Sequence, residues 1–284
     1  MQYQLGQSCR LGNREMNEDH VGLAETDDAV LLVLADGMGG YSGGKIASGT
    51  LVSSMLRQFK KMELPVANPQ AFLKELVAQA HIAVMDAGKN HEPPLEPRTT
   101  CVVCLIQEGC AWWAHVGDSR LYLFRDGKAF DRTIDHSKIE ELRRKGRLTE
   151  AEMEKHPQRH LITRCIGFEK HPPIPAISTG MRLDKNDMLL LCSDGLWGSL
   201  NDDTIAKNLI KGNLDQVLDN LTHQAEDKAY PNSDNISVIA FEWLSEEPGN
   251  TDGKEPADAE QEDGYDEEEV FQTLDDLEKV LGRM

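Results

Sequence analysis

The stretch TCVVCLIQEGCAWWAHVGDSRLYLFR, residues 100–125, decides the fold. It holds three runs rich in apolar, β-branched and aromatic residues, at 100–107, 110–116 and 120–125. Glu108-Gly109 separates the first two and Asp126-Gly127 follows the third, and both dipeptides are turn formers. A parallel connection needs about a dozen residues or more, which these gaps do not supply. The three runs are therefore expected to be strands that pair antiparallel. Cys101 and Cys104 lie within the first run, where positions i and i+3 point to opposite faces. With no second pair following, the six scattered cysteines read as buried, reduced thiols rather than a metal or redox motif.

Upstream, 21–26 and 29–35 read as two strands joined as a hairpin across Asp27-Asp28. A glycine-rich loop, 37–44, leads into a helix over about 45–61. Asn68-Pro69 reads as an N-cap with proline at the first helical position. Behind it Leu73, Leu76, Val77, Ala80 and Val84 form one stripe, the spacing of a helix lying on a sheet. Downstream, a charged and mostly helical insertion occupies 136–160, with Thr149-x-x-Glu152 as a capping box. Its Arg and Lys residues, Arg143 and Arg144 among them, suit acidic or phosphorylated protein surfaces. Strands return at 188–192 and 235–243, bracketing helices near 203–210 and 214–229.

The chain has 284 residues and a formal net charge of −19. Residues 245–284 hold fifteen Asp/Glu against three Lys/Arg, so most of the imbalance sits at one end. The segment 245–264 is too poor in apolar residues to fold and is expected to be an acidic, disordered linker. Within 265–284, Val270, Leu274, Leu277 and Leu281 space out a short amphipathic helix, which needs a surface in cis or on a partner to be stable. That leaves 1–244 as one domain. An acidic chain repels nucleic acid and anionic lipid, so neither is an expected partner. No apolar run approaches the roughly 20 residues of a spanning helix, and the N-terminus lacks a charged start followed by an apolar run. A cytoplasmic protein is expected.

Acidic motifs fall at strand ends: Asn17-Glu18-Asp19, Asp36-Gly37, Asp118 and Ser193-Asp194-Gly195, with Asp234-Asn235 opening the last strand. Carboxylates converging there repel one another unless cations lie between them. Hard cations such as Mg²⁺ or Mn²⁺ take oxygen ligands and keep several waters, which suits few carboxylates and an open site. Glycine after Asp36 lets the backbone approach closely, and the Gly37 carbonyl can itself ligate. Taken singly each motif reads equally well as a turn, since Asp-Gly is a common hairpin signal.

Together and in order, the motifs resemble the metal-dependent serine/threonine protein phosphatases of type 2C. They run from Arg14-x-x-Asn17-Glu18-Asp19 through DGMGG at 36–40, Gly44-x-x-Ala47-Ser48, Thr99-Thr100, GDSR at 117–120 and SDGLW at 193–197 to SDN at 233–235. Asp135-His136-Ser137, His156-Pro157 and Ile162-Thr163-Arg164 resemble the bacterial branch. The resemblance implies an α+β fold, two antiparallel sheets packed as a sandwich and flanked by helix pairs in four layers, α-β-β-α. It implies metal-dependent hydrolysis of phosphoserine and phosphothreonine in proteins, and a cognate bacterial serine/threonine kinase. It also implies that Asp36 bridges two Mn²⁺ or Mg²⁺ ions, with the Gly37 carbonyl on one and Asp194 and Asp234 on the other. Glu18 and Asp19 would hold metal-bound waters, Asp118 with Asp194 would form a third metal site, and Arg14 would clamp phosphoryl oxygens. Two metals roughly 4 Å apart activate a shared water for in-line attack on phosphorus, with no phospho-enzyme. Residues 136–160 would be a flap beside the site.

The sequence departs from the pattern at three places. Met38 stands where animal relatives carry a histidine that protonates the leaving group, so a metal-bound water is implied in its place. Lys45 replaces a usual glutamate, and Arg98 a usual glycine. Three other readings compete. Gly39-x-x-x-x-Gly44-Lys45 mimics a nucleotide-binding P-loop, but Ile46 lacks the hydroxyl needed for Mg²⁺, and the three close-set strands exclude a parallel sheet. A phosphatase-shaped regulator that binds phosphoproteins without turnover is the alternative, disfavoured because Asp36, Asp194 and Asp234 are all present. Asp184-x-Asn186 reads as a turn rather than a calcium loop. The nine histidines offer no metal-spaced pair, and most are expected at the surface.

Overall fold

In the computed structural model the chain begins with β1 (Tyr3–Arg10), β2 (Asp19–Glu25), β3 (Ala29–Met38), α1 (Gly43–Phe59) and α2 (Pro69–Lys89). Then follow β4 (Arg98–Thr99), β5 (Cys101–Gln107), β6 (Cys110–Val116), β7 (Arg120–Arg125) and β8 (Lys128–Arg132). The helices α3 (Lys138–Arg144) and α4 (Glu150–Met153) lead to β9 (Ala176–Ile177), β10 (Met181–Arg182) and β11 (Met188–Cys192). The chain continues through α5 (Asp194–Trp197), α6 (Asp202–Asn208) and α7 (Leu214–Ala229) to β12 (Ile236–Trp243). The structure describes residues 1–38, 43–153, 156–158, 161–168, 173–209 and 212–245. The amphipathic helix over 265–284 and nearly all of the linker over 245–264 therefore lie outside the described residues.

The strands form two antiparallel sheets, in the orders β1-β12-β11-β7-β8 and β10-β6-β5-β3-β2, with β4 on β3 and β9 on β6. Antiparallel pairing throughout rules out the parallel sheet that a P-loop needs. The run at 29–35 is apolar without alternation because β3 is buried on both faces. Leu31, Val33 and Ala35 pack with Leu51, Met55 and Leu76 of α1 and α2. Val30, Leu32 and Leu34 point the other way, against Leu189, Leu191, Ile239 and Phe241 of the facing sheet. That sheet's outer residues, among them Tyr122, Leu190 and Ala240, pack with Ile205, Leu218 and Leu221 of the second helix layer. Three apolar layers thus separate four structural ones, the α-β-β-α sandwich expected. Cys101 and Cys104 fall in different layers, as strand alternation requires.

Local signals account for many boundaries. The Asn68 side chain accepts the Ala71 N–H at 3.1 Å, capping α2. Glu108 and Gly109 have φ of 50° and 75°, and Asp126 and Gly127 have 50° and 70°, the positive pair of a tight hairpin turn. Thr149 and Glu152 form the expected capping contact, Thr149 N to Glu152 Oε2 at 2.8 Å. Among its described residues the insertion holds two short helices, α3 and α4. Its base is closed by the Ser137–Ile162 bridge. Its basic residues are partly engaged internally: Lys138 pairs with Glu141 at 3.1 Å, and Arg143 with buried Glu140.

One expectation needs correcting. β5 and β6 pair as a hairpin, but β7 pairs with β11 and β8 and lies in the other sheet. Gly117 makes this possible: its φ of +106° is open to glycine, and a Cβ there would lie 2.7 Å from Thr100 Cγ2. Residues 117–119 then span the roughly 10 Å between facing sheets. Gly117→Ala is expected to destabilise the protein by about 1–3 kcal/mol, from backbone strain and overlap with Thr100. A thermal melt should show a fall of several degrees; an unchanged melting temperature would mean the crossing does not depend on glycine.

Candidate metal centre at the polar end of the sandwich

Alternation along the strands places the site. Residues of the parity of Leu32 and Leu34 in β3 face the other sheet, and the next of that parity is Asp36. The same count leads from Leu23 and Val21 to Asp19, from Cys104 and Val102 to Thr100, and from Leu191 to Ser193. The apolar layer between the sheets therefore ends in a polar group, with Asp19 directly opposite Asp36 in the β2–β3 register.

Short hydrogen bonds hold this end in place. Asp36 donates its N–H to Thr100 Oγ1 at 2.9 Å, and its carbonyl accepts from Thr99 Oγ1 and Thr100 N, both at 2.8 Å. Thr100 Oγ1 lies 2.6 Å from Ser119 Oγ, tying the Asp36 strand to the GDSR crossing. Ser193 Oγ donates to Asp19 Oδ2 at 2.8 Å and accepts the Ser237 N–H at 3.0 Å, so the second sheet grips the first. Glu18 donates its N–H to Asn235 Oδ1 at 2.9 Å, and Asn235 Nδ2 donates to the carbonyls of Leu11 and Met16. Gly37 packs main chain to main chain on Gly44, where any Cβ would overlap the Gly44 carbonyl. The Glu18 carboxylate reaches the same point, since a Cβ on Gly44 would sit 2.7 Å from Glu18 Oε1.

The electrostatics are those of crowded acids. Burial pushes Asp36 well above the usual carboxylate range, and Asp19, Asp194, Asp118 and Asp234 add repulsion. Burial likewise raises Asp19 to about 7 against the pull of its Ser193 hydrogen bond, with Asp194 and Asp234 adding to the rise. Asp118, 2% exposed, is raised by burial and by Asp194 and Asp135, while Arg120 pulls it down. Asp118 is therefore not a solvent-facing turn residue. Asp194 opens α5 beside these groups. Arg14 and Asp234 lie nearer the surface and pair, Arg14 Nη2 to Asp234 Oδ2 at 2.6 Å.

Three of the sequence motifs prove to be one brace. Arg120 of GDSR forks the Asp135 carboxylate at 2.8 and 2.7 Å and lies 3.7 Å over the Trp197 ring of SDGLW. His136, next to Asp135, accepts the Gly117 N–H on Nδ1 at 3.1 Å and donates its own N–H to the Gly117 carbonyl at 2.9 Å. Burial, His115 and Arg164 push His136 down to about 2, so the ring stays neutral and Nδ1 remains an acceptor. Its ring stacks on His115 with centroids 4.6 Å apart. Of the nine histidines, His81 and His115 are buried, His81 accepting the Gly167 N–H and His115 bonded to the Ile134 carbonyl. Thr99, Thr100, Ser119, Ser193 and Asp135 position the acids, and reading them needed strand parity as well as motif recognition.

The donor set fits divalent metal. It is all oxygen, its Asp19 and Asp118 are buried, and Asp19 Oδ1 has no hydrogen-bond partner. No three carboxylate, imidazole or thiol groups among the described residues close on a single point. A cation here would complete its shell with water and main-chain carbonyls, as small hard ions do.

Comparison with known proteins agrees with this fold. The family described as Protein phosphatase 2C matches residues 6–233. Serine/threonine protein phosphatase PstP of Mycobacterium tuberculosis is 34% identical over 240 residues, covering 84% of this chain and 44% of that protein. Serine/threonine phosphatase stp of Listeria monocytogenes is 28% identical over 233 residues, covering 81% of this chain and 91% of its own. The S. agalactiae serine/threonine phosphatase superposes with a TM-score of 0.78 at 27% identity, over 86% of this chain and all of that one. The catalytic domain of PstP in complex with two manganese ions gives 0.72 at 28% identity, over 86% and 99%. The fold is that of the serine/threonine protein phosphatases of this family. The chain belongs to the protein phosphatase 2C family, in its bacterial branch.

The raised carboxyl groups fix a pH dependence. Asp19, Asp36 and Asp118 all titrate higher in the fold than in the unfolded chain, so their contribution favours the metal-free fold at low pH. It is lost as pH rises through the folded values, about 7 for Asp19. In EDTA the melting temperature should fall by several degrees between pH 5 and pH 8, and Asp19→Asn should flatten that slope. A melting temperature in EDTA that rises over this window would contradict the buried-acid description.

Proposed function

We propose that this protein hydrolyses phosphoserine and phosphothreonine in bacterial phosphoproteins at the Asp36 site, with Mn²⁺ or Mg²⁺ bound there. The observation that carries this reading is the gathering of buried Asp19 and Asp118 and half-buried Asp36, mutually repelling, at one end of the sandwich. Asp36, the Gly37 carbonyl, Asp194 and Asp234 would hold the cations directly. Glu18 and Asp19 would hold waters of the metal shell, and Asp118 with Asp194 would hold a third ion. When bound, the cations supply an activated water and stabilise charge on the phosphoryl oxygens. The chain's own residues orient the rest. Thr99 and Thr100 fix Asp36 by its main chain, Ser193 aims Asp19, and Arg14 presents a guanidinium with five donors, of which the Asp234 contact uses one. That fork suits the oxygens of a phosphomonoester.

Among the described residues no helix is long and apolar enough to cross a membrane. The proposed setting is cytoplasmic signal transduction, opposing a serine/threonine kinase, and the acidic charge argues against a nucleic-acid partner. The segment 245–264 then serves as a tether and 265–284 as a helix that docks a partner. A regulator that binds phosphoproteins without turnover is disfavoured, because every carboxylate of the site is retained.

The purified protein should hydrolyse phosphothreonine peptides with Mn²⁺ and lose that activity in EDTA. Asp36→Asn and Asp194→Asn should each cost orders of magnitude in kcat, while Asp118→Ala should still bind two ions yet dephosphorylate proteins poorly. Full turnover in EDTA, or normal turnover by Asp36→Asn, would remove the reading.

A further inference from the structure

Arg98 departs from the family pattern, and the structure gives it a setting. It lies one strand step, about 3.3 Å, before Thr99, which faces Gly37, and it is itself the register partner of Met38. Beside it opens a cleft of about 360 Å³ whose walls include Arg98, Ile162, Thr163, Arg164, Phe168 and Ile174. These walls are fastened to the site. Ile162 bridges Ser137 and Ile166 bridges Thr99. Thr163 donates its N–H to the His136 carbonyl at 2.8 Å. Gly167 packs so closely on Pro97 that a Cβ would overlap the Pro97 carbonyl.

The chemistry of the cleft is cationic with an apolar rim, in a chain that is otherwise acidic. The Arg98 guanidinium lies 4.9 Å over the Phe168 ring, which holds its plane. Arg164 is a second arginine in the cleft lining. Ile174 at the cleft and nearby Leu161 are 40% and 49% exposed, apolar surface that an extended polypeptide can cover. Arg98 already carries an anion: Glu96 Oε2 sits 2.9 Å from its Nη2, and the Glu96 side chain is 84% exposed. An ion pair that open contributes about 0–1 kcal/mol, so a second carboxylate or phosphate displaces Glu96 at little cost. A planar fork that binds such groups through two hydrogen bonds favours the exchange.

We propose that this cleft is a subsite for an anionic side chain, carboxylate or phosphate, borne by the substrate polypeptide two or three residues from the phosphoserine or phosphothreonine being hydrolysed. The proposal rests on the phosphatase reading of the neighbouring site and names the substrate feature that site prefers. Glu96 acts as the resident stand-in for that anion. Selection for acidic substrates then lies in the cleft beneath the insertion rather than in Arg143, which Glu140 engages.

The test uses the full-length protein with Mn²⁺ and three phosphothreonine peptides that differ two and three residues away, bearing Ala, Glu or phosphoserine. Relative to the Ala peptide, an anionic peptide should show KM lowered about five- to tenfold with kcat little changed. A gain with Glu identifies a carboxylate as sufficient; a gain confined to phosphoserine identifies phosphate. Arg98→Ala should erase the preference while leaving kcat and KM for the Ala peptide and for p-nitrophenyl phosphate unchanged, and Arg98→Lys should restore part of it. Glu96→Gln should lower KM for the Glu peptide further. Binding of a fluorescein-labelled Glu peptide with alanine in place of phosphothreonine, read by anisotropy on metal-free protein, should weaken about tenfold in Arg98→Ala. If the wild type leaves p-nitrophenyl phosphate and all peptides untouched, the phosphatase reading fails, and Arg98-dependent anisotropy still supports an anion subsite. Equal KM for all three peptides, or an Arg98→Ala effect equal on all of them, overturns the proposal.

Discussion

Two aspartates set opposite each other on neighbouring strands, one buried and one half-buried, are the constraint around which this structure is organised. Like charges directly opposite in a sheet repel, and an ionised carboxylate taken from water without a partner is costly. Asp19 and Asp36 meet both conditions, and Asp118, Asp194 and Asp234 add charge from the second sheet and its loops. The hydrogen bonds to Asp19 and Asp36 hold the backbone and aim the carboxylates but bring no positive charge; Arg14 and Arg120 act on Asp234 and Asp118 instead. Thr99 and Thr100 act on the Asp36 main chain, and Ser193 offers Asp19 one hydroxyl. What relieves the repulsion is a proton or a cation, and a site open to both couples metal binding to pH.

The same constraint explains why the motifs are short and far apart in sequence. The polar end of a sandwich is assembled from the ends of many strands, each contributing one or two residues where its apolar alternation stops. Gly37 and Gly117 sit where chains must pass closer than a side chain allows. The brace of Arg120, Asp135 and Trp197 then joins the crossing between sheets, the start of the insertion and the α5 turn. A change in any of the three would reach Asp118 through the main chain without touching a metal ligand.

Much of this was legible in the sequence. The strands at 101–107, 110–116, 120–125 and 188–192 stood out because burial on both faces leaves unbroken apolar runs, and α2 because its stripe and cap agree. The strand β1 did not, since its partly exposed place at a sheet edge admits Gln4 and Gln7 and hides the apolar run. The pairing of β7 was misread because a gap too short for a helix fits a change of sheet as well as a hairpin, and only the φ of Gly117 distinguishes them. For the site, the acids were visible as strand-end motifs. The way their supports act was not, because Ser193 reaches across the two sheets and Thr100 across neighbouring strands, over separations of 174 residues to Asp19 and 64 to Asp36 that no local pattern encodes.

The central claim, that the buried acids exchange protons for divalent cations, is tested most directly by titrating Mn²⁺ into metal-free protein in the calorimeter. Runs at pH 6.5 in buffers of different ionisation enthalpy separate metal binding from proton release. The expected result is at least two ions bound per chain with net release of protons, and both reduced in Asp36→Asn. Binding without proton release, or equal binding by Asp36→Asn, would contradict it.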